Sequence, residues 1–220
     1  MKTNKLVLAL SSISLLLIVS CKKDPVTPGI TFQVRSTAAV APIVGSIAGA
    51  SVQWTAGFAN TVEIKFKAKN NNVKIEYKSE AQQRVNLFST LSTLGVVTVP
   101  AGTYEDLEFE MEVKPLGTEP ALQLTGTYTN VGIVTPLVFK INTSLEIESE
   151  QSNITIADGS SLTALTTLNL SLITTGVTAS MLDNATRTNN TIEISATVNS
   201  NIYEIMLNNL KTCGGVEVSD

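Results

Sequence analysis

The chain has 220 residues, with 15 Lys and Arg against 19 Asp and Glu for a formal charge of −4, two cysteines and no histidine. The missing histidine removes the commonest general base, the commonest metal ligand and every Ser-His or Cys-His nucleophile arrangement, leaving carboxylate, lysine and tyrosine chemistry. A mildly acidic chain without a basic stripe argues against nucleic acid, whose binding is driven by Lys and Arg displacing counterions.

Residues 1–20 read as a cleaved export signal, with basic Lys2 and Lys5, an apolar run from Leu6 to Val19, and small Ser20 directly before Cys21. The run is about 14 residues long, short of the roughly 20 that a membrane-crossing helix needs. Ser20-Cys21 resembles the lipobox cut by lipoprotein signal peptidase, in which the Cys21 thiol carries diacylglycerol through a thioether. Two or three acyl chains anchor stably, at about 0.8 kcal/mol per buried methylene. The membrane is therefore the first expected partner. Lys22 stands where enteric bacteria place the aspartate that retains lipoproteins at the inner membrane, so the expected address is the outer membrane of a cell envelope.

Residues 21–29 are expected to be the lipidated cysteine and a tether, because Pro25, Pro28 and Gly29 favour an extended chain. Loss of Lys2 and Lys5 with the signal takes the formal charge from −4 to −6. With Cys21 acylated, Cys213 has no partner for an intramolecular disulfide and is expected to be a buried small apolar residue.

The mature chain is rich in Thr, Val, Ile, Asn and Ser and alternates with period two. Residues 30–35 read as a first strand and 36–50 as a long loop. Val52 and Trp54 open an extended segment that breaks at Gly57. The best local signal is a hairpin: Val62, Ile64 and Phe66 alternate with Glu63, Lys65 and Lys67, asparagines at 70–72 supply a turn, and Val73, Ile75 and Tyr77 alternate with Lys74, Glu76 and Lys78. After the turn at 100–103, a strand carries Leu107, Phe109, Met111 and Val113 inward and Glu108, Glu110 and Glu112 outward. Further strands are expected at 121–128, 136–142, 145–148, 154–157 and 167–173.

Two segments depart from this pattern. Residues 178–185 allow one or two helical turns around Met181 and Leu182. Residues 201–211 read as a helix with Asn201 and Glu204 as a capping-box-like pair, Tyr203, Leu207 and Leu210 on one face, and Gly214 and Gly215 ending it. The expected fold is mainly β: an antiparallel sandwich of immunoglobulin-like or transthyretin-like type with a C-terminal helix, occupying 30–213 as one domain, with 214–220 as a tail.

From about Val52 onward the chain resembles an uncharacterised family of flavobacterial and related Bacteroidota lipoproteins. The matching pieces are Trp54-Thr55-Ala56-Gly57-Phe58-Ala59-Asn60, Ile75-Glu76-Tyr77-Lys78-Ser79-Glu80, Val85-Asn86-Leu87-Phe88, Pro100-Ala101-Gly102-Thr103-Tyr104, Gly126-Thr127-Tyr128 and Asn201-Ile202-Tyr203 before Asn208-Asn209-Leu210. The resemblance implies an exported β-rich domain and brings no activity, cofactor or catalytic residue with it. The charged cluster after Cys21 is similar to the surface-export signals of such lipoproteins.

Two candidate sites remain. Glu108, Glu110 and Glu112, with Glu105 and Asp106, invite calcium or a glycosidase acid and base, but alternate strand positions spread carboxylates along a line. A solvated face relieved by Lys65, Lys67 or Lys74 is the simpler expectation, and neither a metal site nor a cofactor is expected. Trp54 and Tyr104, with Phe58, Tyr77 and Tyr128, are weighed as a sugar-stacking platform against a role in the core. The expected function is non-catalytic display of a β-sandwich that binds a glycan or an envelope protein or joins a surface assembly. The alternatives are a carboxylate-dependent surface glycoside hydrolase and a structural accessory subunit of an outer-membrane complex.

Overall fold

The computed structural model describes residues 28–37, 39–45, 49–71 and 73–219. The expected signal segment, the Ser20-Cys21 junction and most of the expected tether lie outside the described residues. In chain order the strands are β1 (Gly29–Thr37), β2 (Val40–Ile43), β3 (Ala50–Asn70), β4 (Val73–Asn86), β5 (Ser92–Thr98), β6 (Gly102–Val113), β7 (Leu122–Asn130), β8 (Ile133–Ile141), β9 (Leu145–Gln151), β10 (Ile154–Ile156), β11 (Ser161–Asn169), β12 (Arg187–Thr188), β13 (Thr191–Ile194) and β14 (Gly214–Ser219). The helices are α1 (Ala179–Asp183) and α2 (Ser200–Lys211), with a 3-10 turn at Leu170–Leu172.

Mainly β content follows from the alternation, and β3 organises it. This strand is 21 residues long. It runs straight through Gly57, where a break was expected. On one edge it pairs with β2 and then β4, and on the other with β7 and then β6. Gly57 serves a close approach instead, since a Cβ there would meet the Leu124 side chain at 2.6 Å. The register of β3 shifts after Trp54 against β7 and after Thr61 against β4. Gly126 of β7 lies directly against the first shift, where any Cβ would collide with the Gln53 carbonyl oxygen.

The larger sheet has ten strands and the smaller has four, in the order β14-β11-β1-β5. The small sheet covers one end of the large one. Phe32 of β1 packs on Phe109 of β6 with ring centroids 5.4 Å apart, and Phe66 of β3 lies 5.4 Å from Phe109 and 5.6 Å from Tyr104. Helix α2 covers the other end, burying Ile202, Tyr203, Met206 and Leu210, with Tyr203 against Phe139 of β8. The two layers enclose one continuous apolar core.

Several expectations require correction. The sheets are not purely antiparallel: β1 runs parallel to β11, and β13 parallel to β8. Parallel pairing joins distant segments, as when Arg35 donates to Thr167 across 132 residues, so no local alternation announces it. The expected tail at 214–220 forms β14 up to Ser219 and pairs with β11, covering an edge that would otherwise be open. Residues 36–50, expected as a loop, contain the end of β1 and all of β2. The strand expected over 167–173 turns at Leu170 into 3-10 geometry, capped by the Asn169 side chain. Helix α2 begins at Ser200 behind left-handed Asn199, not at an Asn201 cap, because the Asn199 side chain is taken by Thr186 and Glu193.

The long strand gives the molecule two ends. At one end, the Pro28 carbonyl accepts from Val99 N–H at 3.1 Å, Gly102 lies beside Asn70, and Ser219 pairs with Thr163. At the other end the β7–β8 turn lies beside the start of β3, where Ser51 pairs with Thr129.

Candidate functional site

The solvent face over the second half of β3 is a charged grid. Cross-strand register aligns Lys78, Lys65, Glu110 and Glu148 in one row and Glu76, Lys67, Glu108 and Glu150 in the next. Between β6 and β9, glutamate faces glutamate in three consecutive outward pairs, an arrangement that destabilises unless cations intervene. The lysines of β3 supply them. Lys65 bonds Glu110 and, at 3.0 Å, Glu146, while Lys67 bonds Glu110 and, at 2.8 Å, Glu108. Lys74 takes another position, opposite Lys69, and Lys69 pairs with Asp106.

Glu110 departs from the expected solvated face, since its side chain is 0 % exposed beneath these lysines. Burial is the largest influence on its carboxyl and pushes the pKa up. Hydrogen bonds from Lys65 and Lys67 outweigh it and hold the group below the usual carboxylate range. The lysines answer in kind: burial lowers their pKa values, and the bonds to carboxylates more than reverse it. Glu148 goes the opposite way, raised by burial and then by the charge of Glu108.

One carboxylate oxygen from each of Glu108, Glu110 and Glu148 lies within 4.8 Å of the others. The sequence spread Glu108 and Glu110 along a line, and β9 closes that line into a cluster by bringing Glu148 alongside. Glu148 was missed because only the register of β6 and β9 pairs it with Glu110, 38 residues earlier in the chain. The cluster already contains its cations. Calcium needs about six to eight converging oxygens, whereas here two ammonium groups hold the central carboxylate.

Trp54 and Tyr104 are corrected as a sugar platform because both rings are buried and cannot be stacked on from solvent. Trp54 fills the core with its indole N–H unpartnered. Tyr104 donates to the Pro100 carbonyl at 2.7 Å and so fastens the Pro-Ala-Gly turn. Tyr128 donates to Asp183 of α1 at 3.0 Å, and burial followed by that bond pushes its pKa up to about 12. Tyr77 is half-buried against the core. Cys213 is buried as expected, and burial pushes its thiol up to about 12, the condition of an unreactive cysteine.

Phe58 remains on the outer face, with the Arg84 guanidinium over its ring at 3.8 Å from the centroid. Set against models of protein families, curated proteins and solved structures, the chain matches none of them.

Proposed function

We propose that the chain is a lipid-anchored protein of the bacterial cell envelope, fixed to the outer membrane through Cys21, whose β domain binds rather than catalyses. The sandwich belongs to this proposal as immunoglobulin-like or transthyretin-like, supported by two sheets face to face around Phe32, Phe66 and Phe109. The observation that carries the reading is the polarity of the molecule. The tether enters at Pro28, beside the Asn70 end of β3, so the outer faces of the long sheet stand clear of the anchor for up to about 65 Å of strand path at roughly 3.3 Å per residue.

The test has two parts on the full chain in its cell. Labelling with an alkyne-tagged fatty acid is expected to mark the wild type and not Cys21→Ser. Proteinase added to intact cells is expected to remove the domain. A label that persists in Cys21→Ser, or protection until lysis, would overturn anchoring or surface display respectively.

One observation favours a second reading, a carboxylate-dependent surface glycoside hydrolase. Glu110 and Glu148 are neighbours whose pKa values are pushed apart, the pattern of an acid and its partner. Release of soluble sugar from a polysaccharide by the wild type, lost in Glu148→Gln, would establish it. Burial of Glu110 beneath two lysines weighs on the side of binding.

A further inference from the structure

We infer that Phe58, Asn86 and Gln123 form a binding site for an uncharged sugar on the outer face, midway along β3. The inference rests on the reading of this domain as a binding module and gives it a ligand class.

Two register shifts of β3, after Trp54 and after Thr61, make the site. Val52 and Trp54 point into the core, and simple alternation would send Phe58 in after them. The shift after Trp54 reverses the parity, so Ala59 enters the core and Phe58 turns outward, and the shift after Thr61 restores the original phase for Ile64 and Phe66. Bulges that re-aim one side chain recur beside functional sites. Here the re-aimed residue is a large apolar ring, half-buried on the outer face.

Register then surrounds the ring with planar polar groups. Asn86 of β4 and Gln123 of β7 are the direct neighbours of Phe58 on either side, making an amide-aromatic-amide row across three strands. The Asn86 carbonyl oxygen accepts from Phe88 N–H at 2.9 Å, which directs its N–H2 the other way. The Gln123 N–H2 leans on Thr125 at 3.4 Å, leaving its carbonyl oxygen as an acceptor. Arg84 covers one side of the ring and is held by Glu119 at 2.7 Å. The small side chain of Ala56, directed outward beside Phe58, borders an open depression of about 420 Å3 lined also by Gly57, Phe58, Arg84, Asn86, Gln123 and Thr125, within the size range of small-ligand sites.

Ligand chemistry follows from these groups. An apolar ring takes the C–H face of a pyranose, whose hydrogens are attracted to the electron-rich ring face. A donor on one side and an acceptor on the other suit hydroxyls, which act as both. Charge is balanced locally, since Arg84 is paired with Glu119, and Lys140, next in the row beyond Gln123, with Glu193. No unpaired charge in the row calls for an ionic ligand.

Calorimetric titration of the detergent-solubilised full chain tests this, using linear hexasaccharides of glucose, mannose, galactose, xylose and N-acetylglucosamine, with a galacturonate hexamer as the charged comparison. At least one neutral hexasaccharide is expected to bind. Phe58→Ala and Gln123→Ala are expected to weaken it at least tenfold, while Phe58→Trp retains it, with unfolding temperatures near wild type for Gln123→Ala and Phe58→Trp. Binding by no neutral sugar, undiminished binding in both alanine variants, or tighter binding of the galacturonate hexamer would overturn the assignment. Fatty-acid labelling and surface proteolysis are unaffected by any of these results, so the two proposals fail separately.

Discussion

Val131 is a β-branched residue in the left-handed region, at φ 49°, followed by Gly132 at φ 75° in the two-residue turn between β7 and β8. That turn geometry favours Asn-Gly, and a β-branched side chain there costs about 1 kcal/mol or more. Val131→Asn is therefore expected to raise the unfolding temperature by roughly 2–4 °C; an unchanged or lower value would contradict this. The charged grid gives an opposed pair of pH effects. Glu110 has a lowered carboxyl pKa, so its contribution to stability is present above the unfolded value and is lost as pH falls through the folded one. Glu110→Gln is expected to cost on the order of 3 kcal/mol at neutral pH by leaving Lys65 and Lys67 without their buried partner. Glu148 has a raised pKa, so its contribution is present below the unfolded value and lost as pH rises through the folded one. Glu148→Gln should therefore stabilise at neutral pH, and both differences should shrink toward pH 3 in thermal melts. The sequence marked Glu108, Glu110 and Glu112 as outward but hid their fate, because burial of Glu110 depends on what β9 and two lysines place over it. Phe58 was legible only as one aromatic among several, since alternation counted from Trp54 points it inward until the bulge is known.

Elements written in local alternation were read well. The hairpin of β3 and β4 turns after Asn70, through Asn71, within the asparagine run as expected, and β6 carries Leu107, Phe109, Met111 and Val113 inward. Residues 178–185 give α1, with Thr178 capping Met181 N–H at 3.3 Å. What failed were boundaries set by tertiary partners. Gly57 looks like a stop in sequence and is a contact in space. The start of α2 is decided by Asn199, which is left-handed and accepts from Thr186 N–H at 2.8 Å while donating to the Thr186 and Glu193 carbonyls. It ties the helix to the residue before β12 and to β13 itself. Asn199→Ala removes those bonds and the side chain best suited to the backbone, so a loss of about 2 kcal/mol or more is expected in denaturant unfolding. A loss below about 0.5 kcal/mol would show that the helix docks without it.

The whole molecule is a long sheet shared by two coverings, a small sheet at one end and α2 at the other. Its parallel pairs and its fourteenth strand could not be read from the sequence, because Gly214-Gly215 looks like an ending and β14 depends on β11 far upstream. Ending the chain after Cys213 would strip that partner and expose a strand edge. A lower unfolding temperature and self-association in size-exclusion chromatography are expected for this truncation, and a monomer of unchanged stability would refute a structural role for β14. The position of β1 has a mechanical consequence. It continues from Pro28 as an inner strand, matched to β11 at nine positions and to β5 at six. With the chain anchored as proposed, a pull from the membrane, resisted by whatever grips the opposite end, would load these ladders lengthwise like a lap joint, so that their bonds share the force instead of peeling one by one.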